Sequence, residues 1–189
     1  MYLLVGLGNP GAKYKNNRHN VGHMAIDMIT KKYKLKITNL KKFGIISKGK
    51  ILKDEIITLK TKEFMNLSGL SIKKFMNFYK IDLKKLLVFH DDLDLPLGKI
   101  KIKIGGGNAG HNGLKNIDEI VGKNYKRIRI GIDRPENNKN INKFVLENFK
   151  KEEEKEIYFS INRIISFLQY FLSSDNNDIS ILMNKLSKK

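Results

Sequence analysis

The sequence predicts an α/β fold: one domain with a mixed, mostly parallel β-sheet flanked by α-helices. Three observations carry that expectation. Short apolar runs of strand length alternate with stretches whose apolar residues recur at helical spacing. Residues 99–104 alternate basic and apolar side chains without a break, and 126–132 alternate again with Arg127 and Arg129 opposite Ile128, Ile130 and Ile132, as strands do. Two short runs around Gly49 read as a hairpin, which needs antiparallel strands. At 189 residues with no internal repeat, residues 1–189 are expected to form a single domain.

Residues 2–5 open the chain as an apolar strand that ends in glycines. Residues 21–33 follow as a helix, with Val21, Met24, Ala25, Met28 and Ile29 on one face. Lys31 and Lys32 fall in its last turn, where the helix dipole favours cations. Residues 43–48 and 51–53 flank Gly49 as the hairpin, and 55–60 form another strand. After residues 64–69 (FMNLSG) a helix runs through Tyr79, burying Ile72, Phe75, Met76 and Tyr79. Residues 86–89 read as a buried strand that ends in residues 90–96 (HDDLDLP).

Strand 99–104 enters the loop 105–113 (GGGNAGHNG), and a helix covers about 114–121. Residues 126–132 are the second basic strand and 133–143 a polar loop. A helix over about 151–172 begins with Glu152, Glu153 and Glu154, acids that suit a helix N-terminus. A short last helix is expected over 179–186.

The chain has no cysteine, which excludes disulfides, thiolate zinc sites and cysteine nucleophiles. It shows neither a signal-peptide apolar region nor a membrane-length apolar run, so a soluble cytoplasmic protein is expected. The net charge of +18 suggests nucleic acid as first partner. Lys outnumbers Arg by 32 to 5 beside abundant Ile and Asn, which also fits drift in an A+T-rich genome. Charge alone leaves both readings open, and position has to decide.

Gly6, Gly8 and Gly11 match the dinucleotide-binding spacing. The context does not follow. Pro10 lies between the glycines, residues 13–17 read as loop, and no acid occurs from Thr30 to Leu40 to hold a ribose. The glycines are expected to serve a tight turn and close backbone approach.

With no cysteine, a base at neutral pH is most naturally one of the four histidines: His19, His23, His90 or His111. His19 lies in the loop before a helix. A metal pair with His23 is conceivable, but Asn20 stands where a zinc protease has glutamate. Asp91, Asp92 and Asp94 can hold Mg²⁺, orient a histidine, or merely bond their own turn. Loop 105–113 offers N–H groups for an anion, with His111 and Asn112 ready to cap the next helix. Lys99, Lys101 and Lys103 lead into it, and Arg127 and Arg129 add a second basic strand. Asn9, Asn66 and Asn112 are turn or cap residues unless they converge on a substrate.

The residues Asn9-Pro10-Gly11 with Tyr14, Arg18-His19-Asn20-Val21-Gly22, Phe64-Met65-Asn66-Leu67-Ser68-Gly69, His90-Asp91-Asp92-Leu93-Asp94-Leu95-Pro96 and Gly110-His111-Asn112-Gly113-Leu114 resemble the bacterial-type peptidyl-tRNA hydrolases. Arg127-Ile128-Arg129-Ile130-Gly131-Ile132 and Phe144-Val145-Leu146 also fit, so the likeness spans residues 2 to about 150 in the family's order. Departures are Asn17 for the usual threonine, Thr61 and Glu63 for a proline and threonine, and Asn108-Ala109 in the glycine loop.

The resemblance implies a monomeric esterase that cleaves peptide from tRNA and needs no metal or other cofactor. It implies His19 as the base that activates water, Asp91 as the carboxylate holding it, and Asn9 as the reader of an acylated amino group. Tyr14, Phe64, Asn66 and Asn112 would contact substrate, with Met65 shaping the cleft. Lys103 and Arg129 would grip tRNA phosphate, with Lys101 nearby. The rival expectations are an RNA-binding protein without hydrolysis and a metal-dependent hydrolase built on the Asp91/Asp92/Asp94 cluster.

Overall fold

Strand β1 (Tyr2–Gly6) and strand β5 (Leu86–Asp92) are buried along their whole length, which is why both read as near-continuous apolar runs. The computed structural model describes residues 1–40, 42–135, 140–173 and 178. The other strands are β2 (Lys36–Leu40), β3 (Gly44–Ile51), β4 (Asp54–Thr61), β6 (Ile100–Ile104) and β7 (Lys126–Gly131). They form one seven-stranded sheet in the order β2-β3-β4-β1-β5-β7-β6. The pairs β4–β1, β1–β5 and β5–β7 are parallel, while β2–β3, β3–β4 and β7–β6 are antiparallel. Only β3 and β6 therefore run against the rest, and the mixed, mostly parallel expectation holds.

Helices cover both faces. Helix α1 (Val21–Lys32) and helix α5 (Lys151–Ser173) bury Ile26, Ile29, Ile161 and Leu168 against Leu4, Leu87 and Phe89. Helix α2 (Ser68–Tyr79) and helix α3 (Asn112–Ile120) bury Ile72, Phe75, Leu114 and Ile117 against Leu3, Val5 and Val88. Neighbouring residues of one strand thus serve opposite layers, as the strand period requires. No described helix is long and apolar enough to cross a membrane.

Two expectations are corrected and one strand is added. The hairpin turn lies at Leu52 and Lys53, with Leu52 itself left-handed, while Gly49 stays in the ladder opposite Ile56. Strand β2 was not expected, because its exposed edge position selects no apolar face. The polar loop 133–143 ends in a short helix, α4 (Ile141–Val145), whose Val145 is buried. The helix expected over 179–186 lies outside the described residues.

Candidate active site

The carboxyl ends of β1 and β5 lie side by side, and α1 begins directly above them. Its close seat needs glycine at position 22, where a Cβ would overlap the Phe89 carbonyl and the Leu7 backbone. This is the crevice where open α/β sheets hold ligands. Here Gly6 and Gly8 let the chain pack against Gly22, Ile26 and His23 of α1, while Gly11, with φ +104° and open space around it, serves the turn. The chain after Gly11 forms a 3-10 turn over Ala12–Tyr14, and the nearest helix starts only at Val21.

Just before α1, a 3-10 turn over Arg18–Asn20 presents His19 to Asp91, the penultimate residue of β5. His19 Nδ1 lies 3.0 and 2.9 Å from the two Asp91 oxygens. His111 Nε2 lies 3.0 Å from Asp91 Oδ1. His111 is also the N-cap of α3, its Nδ1 accepting the N–H groups of Gly113 and Leu114 at 3.1 and 3.3 Å. Those bonds settle the tautomers. A nitrogen that accepts two N–H groups carries no proton, so His111 donates from Nε2 to Asp91. Asp91 is buried and accepts from both imidazoles, so His19 donates from Nδ1 and keeps its Nε2 lone pair free.

Electrostatics separate the four histidines. Burial pulls the His19 pKa down, but the charge and hydrogen bonding of Asp91 outweigh it, and the net shift is upward from 6.5. Burial raises the Asp91 carboxyl, and the two imidazoles more than reverse this, holding it well below the usual carboxylate range. Burial pushes His90 down to about 3, aided by His111, and His23 down to about 3, aided by Lys60. His90 and His23 therefore take up no proton near neutral pH.

Two imidazoles and a carboxylate whose ligand atoms lie within 4.8 Å have the composition of a metal site. The His111 cap argues against that use. A neutral imidazole that binds metal through Nε2 carries its proton on Nδ1, and here Nδ1 faces two N–H donors. The acidic cluster is likewise divided among other jobs. Asp92 accepts from Arg129 Nε at 2.6 Å and from Asp94 N–H at 2.9 Å, and Asp94 pairs with Arg134.

The asparagines gather around one rim. Asn9 Oδ1 accepts the Met65 N–H at 3.0 Å, and the Asn9 backbone exchanges two 2.9 Å bonds with the Asn20 amide. This orientation leaves Asn9 Nδ2 as an available donor. Met65 is buried, and its sulfur would sit 2.6 Å from a Cβ at Gly113, so Asn66 and Asn112, both exposed, flank the same contact. Tyr14 meets Phe64 edge-on at 6.3 Å. His19 and His111 line a cavity of about 220 Å³ walled on the other side by Ile141 and Val145.

The two basic strands do share a face: Lys101 pairs with Arg129 and Lys103 with Arg127 across β6 and β7. Arg127, however, is 1 % exposed and bonded to Asp118, Gly106 O and Gly107 O, so it braces the glycine loop. Lys103 and Arg129 line a second cavity of about 310 Å³ beside that loop. Gly106 is glycine because its φ is +88°, and the Lys103 ammonium end lies against it.

The sequence model for peptidyl-tRNA hydrolase matches residues 3–189. The chain belongs to the peptidyl-tRNA hydrolase family. Peptidyl-tRNA hydrolase of Rickettsia canadensis (strain McKiel) is 43% identical over 189 residues, covering 100% of this chain and 97% of that one. The protein of the same name from Rickettsia prowazekii (strain Madrid E) is 45% identical over 184 residues, covering 95% and 100%. The crystal structure of peptidyl-tRNA hydrolase from Acinetobacter baumannii superposes with a TM-score of 0.91 at 33% identity, covering 100% of this chain and 95% of that one.

Sequence reasoning about this peptidyl-tRNA hydrolase family member missed three contacts. His111 was expected as a cap or as one of four candidate bases and was not linked to Asp91, although a histidine N-cap leaves a second ring nitrogen to bond. Asp92 was not linked to Arg129, because their approach depends on the β5–β7 register. Arg18 was expected in a motif with no partner, and it meets Glu153 of α5, 135 residues away.

Proposed function

We propose that this chain hydrolyses the ester joining a peptide to its tRNA, with His19 as general base, and that residues 1–189 act as one domain and as a monomer in the cytoplasm. The observation that carries the reading is the Asp91 carboxylate shared by His19 Nδ1–H and the capped His111, which frees His19 Nε2. Nε2 takes a proton from water as the water oxygen attacks the ester carbonyl. The tetrahedral intermediate collapses by breaking the bond to the ribose oxygen, which receives the proton back from the imidazolium. An aminoacyl ester is already activated, so a base, an orienting carboxylate and amide donors suffice without a covalent nucleophile. A sedimentation mass of one chain checks the monomer.

Asn9 Nδ2 supports discrimination of the peptide. It can donate to the carbonyl of an acylated amino group, whereas a free ammonium offers it only further donors. Tyr14, Phe64, Met65, Asn66 and Asn112 are proposed to shape and contact the substrate near the ester.

Lys103 and Arg129 are proposed to grip a tRNA phosphate, with Lys101 adding charge. Lys101 opposite Arg129 and Lys103 opposite Arg127 are cation-on-cation cross-strand pairs, which cost stability. Asp92 and Asp118 offset the arginines, and a bound phosphate would offset the lysines. Lys103→Ala and Arg129→Ala should each weaken tRNA binding and lower the salt slope by roughly 0.7–0.9. An unchanged slope in both would make them ordinary surface charges.

The deciding assay incubates the protein with N-acetyl-aminoacyl-tRNA and with free aminoacyl-tRNA, both in excess EDTA. Release from the blocked substrate alone is expected. Tight tRNA binding with no release would indicate an RNA-binding protein on the same scaffold, and EDTA-sensitive release would indicate a metal-dependent hydrolase.

A further inference from the structure

On its far side, the turn that carries His19 is tied to the C-terminal helix through a buried arginine. Arg18 is 4 % exposed, and its Nη2 donates to both Glu153 oxygens at 3.0 and 2.7 Å. Its guanidinium carbon lies 4.4 Å from the Phe144 ring centre and 5.0 Å from that of Phe149, one aromatic on either side of the chain turn that leads into α5. The Arg18 N–H donates to Glu147 O at 3.0 Å, and the Asn17 side-chain amide donates to Leu146 O. Glu153 Oε2 also accepts the Lys150 N–H at 2.7 Å, closing the first turn of α5.

Stability alone does not account for this arrangement. Arg18 Nε and Nη1 are buried with no hydrogen-bond partner among the described residues, and a buried ion pair is often matched or bettered by apolar side chains of similar volume. The best-attested use of such a pair is to fix register. The register here is that of the next residue, His19, whose ring must meet Asp91 at about 3 Å. Helix α4, which contributes Ile141 and Val145 to the His19 cavity, packs against the same turn.

We propose that Arg18, held by Glu153, is a positioning residue for His19: acting through the 18–20 turn, it sets the imidazole against Asp91 and couples that setting to the C-terminal helix. The inference rests on the hydrolase reading, in which His19 is the base. The titratable and charged groups around His19 are Asp91 from β5 and His111 from the head of α3, which its ring meets, with His90, Asp92, Asp94 and Arg134 lining the same cavity and Lys143 of α4 exposed. Loosening the Asp91 contact leaves the lowering effect of burial less opposed, so the imidazole titrates at lower pH.

Two variants test this. Arg18→Met replaces the guanidinium with an apolar chain that fits between the two rings, and Glu153→Gln removes the charge while keeping an acceptor for Lys150 N–H. Each should lower kcat on N-acetyl-aminoacyl-tRNA by about 10–100-fold with KM within about twofold of the parent. The NMR titration of the His19 ring should move to lower pH at an unchanged fold. Parent kcat and an unmoved ring titration in both variants would overturn the proposal. Should Arg18→Met fail to fold, Glu153→Gln decides by the same two readouts. If the parent releases nothing from the blocked substrate, the hydrolase reading fails, and the ring titration still tests whether Arg18 positions His19.

Discussion

Asp91→Asn should lower kcat by about 10⁴-fold while leaving tRNA affinity intact, an effect of the size seen when a histidine base is forced into the wrong tautomer. The carboxylate accepts two N–H donors, one from each imidazole. An asparagine that keeps its oxygen at the Oδ1 position, which faces both rings, puts its N–H₂ at the Oδ2 position, 2.9 Å from His19 Nδ1. His111 cannot adjust, because its Nδ1 is held by the first N–H groups of α3. His19 can, by accepting at Nδ1 and carrying its proton on Nε2. That proton occupies the lone pair needed to activate water. Single-turnover release beside a tRNA-binding titration measures both quantities, and a loss smaller than about tenfold would remove the carboxylate from tautomer control.

His19→Ala should lose roughly 10²–10⁴-fold in turnover, the usual worth of one general base, again with tRNA binding retained. The pH profile adds a sign that can be checked. The base works as neutral imidazole, and Asp91 raises its pKa above 6.5. The parent kcat/KM should therefore fall as pH drops through a value above 6.5, and this limb should vanish in His19→Ala. His90 and His23, both held at about 3, cannot supply a replacement limb in that range. A limb that survives the substitution would assign the titration to another group.

The fold was legible wherever a strand or helix has a buried face. Helix α1 starts at Val21 as its apolar spacing indicates, and β6 and β7 follow their alternation to within one residue at each end. Strand β2 was illegible because Lys36–Leu40 is an exposed edge whose pairing with β3 leaves no apolar pattern. The hairpin was misplaced because the sequence offers Gly49 as the obvious turn, while Leu52 adopts the left-handed conformation. In the site, His19 and Asp91 were legible through local motifs and the family likeness. The role of Arg127 was not, since its alternation with Ile128 is the same as that of Arg129, and only the approach of Asp118 from α3 buries it. Such pairings across long sequence separations are set by register and layer packing.

The alternation of β5 divides labour across the thickness of one strand. Asp91 reaches His19 and His111, while Asp92, on the alternate face of the strand, meets Arg129. Asp91, which holds the proposed base, and Asp92, which holds a proposed RNA-gripping arginine, are thus adjacent in sequence yet leave the strand on alternate faces. Selection can tune one set without rewriting the other: changes on the Arg129 face alter affinity and its salt dependence, and changes around Asp91 alter turnover. The same arrangement makes the strand intolerant of length changes. One residue inserted between Phe89 and Asp91 would turn the carboxylate toward the arginines and leave the imidazoles facing its neighbour.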